Sequence, residues 1–373
     1  MFYNLKKILD YSEKIGIPTM DVVVYKDGKQ VFREARGFSD EKGSPVKEDL
    51  LFNIYSCSKF VTVVAALRLL EQKKFSLNDE VAEYIPAFGD VKVLKNGGLY
   101  KAENKIRVEN LFTMTSGLTY DCGSAEIKQG VIETEGKAPT VKMMDYIAKM
   151  PLEYEPGETW NYSLSHDVLA ALVEIISGKS FGEYVREQIV TPLGMNDFTF
   201  NLPDEELYRV CKQFRYENGK YVDVGRKIAC YKFGTEYESG GAGGVCTVND
   251  YIKFLEGIRT GKILSEATRA IMIKDWLKDS QRKTYWAAKG YGYGLGIRVP
   301  DVTNRRTDIG WGGAAGAFLA IDLKNNISVY YAQHVLNSIN KDVRKDIIEA
   351  VKLDLGLPAF EEDMWKGEGS YLA

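Results

Sequence analysis

Apolar and polar positions along the chain fall into three textures. Residues 19–26 (TMDVVVYK) and 30–38 (QVFREARGF) are strand-like runs on either side of Asp27-Gly28-Lys29, which predicts a β-hairpin. Ahead of them, MFYNLKKILDYSEKIG spaces its apolar side chains at the helical period and predicts a short amphipathic helix. Residues 58–72 are helical and apolar nearly all round. Phe60, Val63, Val64, Leu67 and Leu70 share one face, while Val61, Ala65 and Leu69 cover much of the rest. A helix without a polar face is expected to be buried.

From about 76 to 230 the pattern predicts helices and loops. LNDEVAEYIPAF reads as a loop into a short helix stopped at Pro86, and RVENLFTMTSGL as a helix ended by Gly117. SHDVLAALVEIISG is a helix ended by Gly178, and SFGEYVREQIVTPLGM is another with Ser180 as its N-cap. After 240, a glycine-rich bend and a helix (GGAGGVCTVNDYIKFLEGIRTG) precede strand-like segments at 291–299, 315–322 and 327–333, then a helical stretch at 338–354. Strands from both chain ends around a block of helices predict the α+β class. The expected architecture is an antiparallel sheet flanked by helices, built from residues 1–75 and 231–373. Residues 76–230 form an inserted, mainly helical region.

With 373 residues, 45% of them hydrophobic, the chain can bury a large core. A net charge of −3 without a basic stripe argues against a nucleic-acid partner. The start lacks the apolar stretch of a secretory signal. The most apolar runs, FVTVVAALRLL and VLAALVEIIS, fall short of the roughly 20 residues a bilayer span needs. We therefore expect a cytoplasmic protein with no membrane partner. Cysteines at 57, 122, 211, 230 and 246 make no C-x-x-C pair, so neither a disulfide framework nor a zinc site is expected. Cys57 reads as a small buried apolar residue rather than a nucleophile.

Ser-x-x-Lys occurs at five places, starting at Ser39, Ser44, Ser56, Ser280 and Ser338, and only Ser56 opens a buried helix. Residues three apart share a helical face, so Lys59 can reach the Ser56 hydroxyl. Burial disfavours the charged form of a lysine, and a neutral Lys59 could take the serine proton. Bringing its pKa from about 10.4 to near 7 asks roughly 4–5 kcal/mol of the surroundings. The bland alternative makes Ser56 an N-cap and Lys59 a snorkelling side chain. A second serine, Ser180, lies in Gly-x-Ser-x-Gly at 178–182, with His334 downstream. That elbow requires a strand before the serine, whereas a helix precedes it here. His166 and His334 are the only histidines, and both read as structural, which favours a hydrolase whose base is not histidine.

Several stretches together resemble a known family. IYSCSKF ahead of an apolar helix resembles the Ser-x-x-Lys block of serine β-lactamases and penicillin-binding proteins. LNDEVAEYIPAF, NLFTMTSGL, PGETWNYSLSHDVLAALVEIISG, PLGMNDFTF and GGAGGVCTVNDYIKFL look like successive landmarks of the class C β-lactamase-like serine hydrolases. The resemblance covers about residues 19 to 335 and implies a β-lactamase/transpeptidase-like fold. It carries Tyr162 over as the tyrosine that, with the lysine, manages protons on the serine.

Two departures refine the implied function. Leu164 stands where the lactamases hold an asparagine on the substrate amide, and leucine cannot make that hydrogen bond. Trp311-Gly312-Gly313 replaces Lys-Thr-Gly, removing the cation that meets a β-lactam carboxylate. This combination is similar to family VIII carboxylesterases and related acyltransferases. The resemblance thus implies an acyl-enzyme on Ser56, with Lys59 and Tyr162 sharing the base role. It implies an oxyanion hole from the backbone N–H groups of Ser56 and Ala314, and Leu164, Trp311, Gly312 and Gly313 beside a small ester or lactam substrate. No metal or cofactor is expected. Rival readings are a β-lactamase or D-amino-acid peptidase, and a catalytically inactive penicillin-recognising module. Tyr55, Tyr120, Trp160, Tyr291, Tyr293 and Trp311 are candidates for the walls of an apolar acyl or aryl pocket.

Overall fold

The computed structural model describes residues 2–40, 42–228, 231–286, 290–303 and 305–366, and Cys230 lies outside them. The near-continuous apolar runs predicted as strands lie in one seven-stranded sheet. Its strands are β1 (Thr19–Lys26), β2 (Lys29–Gly37), β3 (Tyr291–Tyr293), β4 (Arg298–Pro300), β5 (Asp308–Gly312), β6 (Phe318–Asp322) and β7 (Ile327–Gln333). The order is β2-β1-β7-β6-β5-β4-β3, with every neighbouring pair antiparallel.

Both faces of the sheet are covered, which is why its central strands are apolar on both sides. Val22, Val24, Val329 and Tyr331 face a core shared with α1 (Tyr3–Lys14) and with a helix near the C-terminus, Ile347–Asp354. Val23, Tyr330 and Ala332 face the larger core. That core holds α2 (Ser58–Glu71), α3 (Ser165–Ser177) and α4 (Val248–Arg259). As its pattern foretold, α2 is buried almost all round. The chain is of the α+β class, with helices on both faces of an antiparallel sheet.

Several elements differ from expectation, each for a local reason. The segment 291–299 is not one strand. Gly296, at φ 76, turns the chain so that β3 and β4 pair with each other. The short helix expected ahead of Pro86 is a 3-10 turn, Val81–Glu83, and Pro86 begins a second one, Pro86–Asp90, at the first helical position, where its missing N–H costs nothing. The helix at 108 ends at Phe112, because Met114 already takes φ 56, ahead of Gly117. The helical stretch near the C-terminus is broken into Lys341–Arg344 and Ile347–Asp354.

Where the pattern predicts only helices and loops, the middle of the chain also carries two hairpins, Lys92–Lys95 with Gly98–Lys101 and Gln213–Glu217 with Lys220–Gly225. Both turn at Asn-Gly, with Asn96 and Asn218 at positive φ, a signal that was present in the sequence.

Candidate active site

The turn that ends at α2 is held in a conformation of high backbone energy. Tyr55 is at φ 48, a left-handed region that costs a bulky residue on the order of 1–3 kcal/mol. Its phenol donates to Gln213 Oε1 at 2.6 Å, which pins it there. The 3-10 turn Tyr55–Cys57 runs directly into α2 at Ser58. The helix N-cap is Cys57, with no side-chain cap bond, so Ser56 is not spent as a cap.

A glycine-rich segment, 240–244, is laced to this turn. Ile54 N–H donates to Gly244 O at 3.0 Å, and Gly244 N–H donates to Ser58 Oγ at 2.9 Å. Thr62 Oγ1 donates to Gly240 O at 2.8 Å. Lys59 points inward at 1% exposure, so it does not snorkel. Its Nζ donates to Gly241 O at 2.7 Å and to Tyr120 OH at 3.1 Å, and stands 3.4 Å from Ser56 Oγ.

Tyr162 enters from the loop before α3, and its phenol donates to Ser56 Oγ at 2.7 Å. Tyr120 stacks flat on Tyr162, with centroids 5.2 Å apart and an interplanar angle of 3°. The Lys59 Nζ lies 4.5 Å from the Tyr162 ring centroid and 4.9 Å from that of Tyr120, which adds cation–π attraction. Burial, reinforced by the neighbouring Tyr162 and Asp167, pushes the Tyr120 phenol well above the usual tyrosine range. Tyr120 is therefore protonated when it accepts from Lys59.

Strand β5 ends against the same turn. A Cβ at Gly313 would lie 2.5 Å from Ile54 O, so only glycine permits this approach. Among the described residues, neither the Ser56 nor the Ala314 backbone N–H has an acceptor. Trp311 stacks on Tyr162 at 5.9 Å. Trp160, Tyr285, Trp286 and Tyr293 complete an aromatic wall on that side. Trp286 is 64% exposed, with its ring 6.0 Å from Tyr162 and 5.7 Å from Trp311.

The candidates thus divide. Ser56, Lys59, Tyr162, Trp311, Gly312, Gly313 and Ala314 belong to one locality, with Tyr120, Trp160 and Tyr293 around it. Leu164 corrects the expectation of a substrate contact. It is 2% exposed and packs in the main core beneath α3. Tyr55 points away from the aromatic wall, towards Gln213. Tyr291 lies elsewhere, bonded to Asp308 with the Arg298 guanidinium 4.0 Å over its ring.

Ser180 is an N-cap, accepting from Glu183 N–H at 3.3 Å within a capping box, so the elbow reading fails. His334 Nδ1 donates to Cys211 O at 2.8 Å, and its Nε2 accepts from Asn53 N–H. His166 is held against Phe112 O. Burial lowers His334 to about 4 and His166 to about 3. Burial likewise pushes the Cys57 thiol up, away from reactivity. A cavity of about 620 Å³ behind the turn, lined by Asn53, Phe200, Ile228 and Gly243, touches none of Ser56, Lys59 or Tyr162. Sequence reasoning missed Tyr285, Trp286 and Gly241 and the lysine-binding role of Tyr120. No spacing rule connects them to Ser56.

The chain is similar to known proteins in sequence and in fold. The chain is 28% identical to esterase EstB of Burkholderia gladioli over 338 residues, covering 82% of this chain and 83% of that one. It is 24% identical to acyltransferase calJ of Penicillium decumbens over 365 residues, covering 88% and 86%. The solved structure of EstCE1, a hydrolase with promiscuous acyltransferase activity, superposes with a TM-score of 0.77 at 24% identity, covering 94% of this chain and 99% of that one. The family model described as Beta-lactamase matches residues 6–352, and the chain belongs to the Beta-lactamase family.

Proposed function

We propose that this protein is a serine hydrolase acting on small acyl or aryl esters through an acyl-enzyme on Ser56. The observation that carries this reading is the 2.7 Å contact from the Tyr162 phenol to Ser56 Oγ, with Lys59 Nζ 3.4 Å from the same oxygen. Ser56 Oγ attacks the ester carbonyl and its proton passes into the Tyr162–Lys59 pair. The carbonyl oxygen takes up the negative charge and is met by the N–H groups of Ser56 and Ala314. One such donor is typically worth about 2.7–4 kcal/mol. Collapse expels the alcohol, which leaves with the proton returned by Tyr162. Water or a second alcohol then releases the acyl group by the reverse proton path. No step calls for a metal or cofactor.

The choice of ester over lactam rests on Trp311, which offers no cation to a β-lactam carboxylate. Leaving a substrate's polar group without its partner costs on the order of 1–3 kcal/mol, and more for a charge. The name of esterase EstB supports the ester reading, and the descriptions of calJ as an acyltransferase and of EstCE1 as a hydrolase with acyltransferase activity support acyl transfer beside hydrolysis. We further propose that the region 76–230 is an insertion that brings Tyr162 to a nucleophile and a strand end supplied by 1–75 and 231–373. The location is proposed to be cytoplasmic; no described helix is long and apolar enough to cross a membrane.

The test is intact mass spectrometry after a panel of activated esters and lactams, with wild type beside Ser56→Ala. An acyl adduct from p-nitrophenyl esters, absent in the variant, is expected. A robust nitrocefin rate without ester turnover would favour the lactamase. No burst and no adduct with a fluorophosphonate would mean an inactive module.

A further inference from the structure

Asp167 carries a carboxylate in the protein interior. It sits in the first turn of α3 at 1% exposure. Its Oδ1 accepts from Tyr237 OH at 3.0 Å and from Ser239 Oγ at 2.7 Å. Its Oδ2 is buried and faces the backbone N–H of Gly241, in the segment that receives Lys59. A Cβ added to Gly241 would lie 2.4 Å from Asp167 Oδ2 and 3.3 Å from Tyr120 OH. Gly241 and Tyr120 both accept from Lys59 Nζ. Ser239 ties the same segment again, since its Oγ accepts from Ala242 N–H at 3.0 Å.

A buried ionised carboxylate without a counter-charge is costly enough that it would take up a proton instead. The groups facing Asp167 are Lys59 from α2, Tyr120 and Cys122 from the segment between Leu118 and Ser124, Tyr237 and Ser239 from the loop before α4, and its chain neighbour His166. Lys59 is the cation among them. Burial raises the Asp167 pKa, and the attraction of Lys59 and the bonds from Ser239, Tyr237 and the Gly241 N–H offset that only in part. The helix N-terminus also favours a negative charge there.

We propose that Asp167 is a positioning residue for Ser56 chemistry: anchored by Tyr237 and Ser239, it is the counter-charge of Lys59 and fixes the 239–242 segment whose Gly241 carbonyl docks the amine. It does not touch substrate. It acts through Lys59, holding the amine within reach of Ser56. This inference rests on Ser56 being the nucleophile.

The test is the rate of fluorophosphonate labelling of Ser56 between pH 5 and 10, in wild type, Asp167→Asn and Gly241→Ala. Removing a buried negative charge destabilises a neighbouring ammonium and eases ionisation of a neighbouring phenol, so either group titrates lower. In Asp167→Asn the ionisation limb should move towards acid by about one unit or more, and the plateau rate above that limb should fall at least tenfold because the segment carrying the Gly241 carbonyl is no longer held. Gly241→Ala keeps the charge but pushes the carboxylate aside. It should slow labelling with a smaller shift in the same direction. A folded Asp167→Asn protein whose limb stays in place overturns the proposal. Should that variant not fold, an unchanged Gly241→Ala profile overturns it instead. Labelled wild type with unshifted variants defeats this inference alone, whereas unlabelled wild type defeats it together with the serine-hydrolase reading.

Discussion

The Tyr162 phenol and the Ser56 hydroxyl, 106 positions apart in the chain, meet at 2.7 Å. Tyr162→Phe keeps the ring that stacks on Tyr120 and removes only the proton carrier. We expect kcat for p-nitrophenyl butyrate to fall about 10²–10⁴-fold, the usual weight of a positioned acid–base group. KM and the thermal midpoint should hold. Steady-state kinetics beside a melting curve decide this; unchanged kcat would remove Tyr162 from the proton path.

The two candidate serines separate cleanly. Ser56→Ala should lose all fluorophosphonate labelling and remain folded. Ser180→Ala should stay active, but it loses the N-cap bond to Glu183 N–H and about 1 kcal/mol of stability in denaturant unfolding. Loss of activity in Ser180→Ala with Ser56→Ala still active would reverse the assignment.

At Gly313, a Cβ would be driven onto Ile54 O at 2.5 Å. Gly313→Ala should push the end of β5 off the nucleophile turn and carry the Ala314 N–H with it. The expected loss is on the order of 10²-fold in kcat, the weight of one oxyanion donor. Full activity in this variant would place the second donor elsewhere.

Trp286 is the exposed member of the aromatic wall, with its ring 5.5 Å from Trp160 and 5.7 Å from Trp311. Trp286→Ala should raise KM for aryl esters several-fold, because it removes apolar contact area from the bound substrate. Methyl and ethyl esters should respond less, and stability should barely change. An identical effect across the ester series would argue against a role in substrate selection.

Acid stability should report the buried histidines. His334 is held neutral in the fold at about 4, while the unfolded chain takes up a proton near 6.5. Between those values the unfolded state binds more protons, so this contribution is complete above pH 6.5 and is lost as pH falls towards 4. The loss reaches about 3 kcal/mol by the bottom of that window. His334→Gln should flatten unfolding free energy against pH between 6.5 and 4. An equally steep curve in the variant would locate the acid sensitivity elsewhere.

Particular residues mark how far the sequence could be read. The hairpin at Asp27-Gly28, the buried helix after Ser58, the Gly178 helix end and the Ser180 cap were all legible, because each is set by chemistry within a few residues. The two Asn-Gly hairpins were equally local and were passed over. Leu164, Tyr55 and Tyr291 were misplaced because their identity says apolar or aromatic, and not which way the chain turns them. Leu164 sits one residue before α3, so the helix axis aims it at the core.

By itself the sequence determined the periodic elements, the α+β class and a short list of reactive groups, since periodicity, caps and turns act between near neighbours. Only the tertiary structure decided that Lys59 lies under two tyrosine rings, that Gly241 supplies its acceptor carbonyl, that Asp167 stands behind it and that Trp286 joins the wall. Those relationships span up to about 180 positions, for example from Lys59 to Gly241. They are fixed by how helices pack on a sheet, where a contact depends on the three-dimensional path of the chain and leaves no spacing to read.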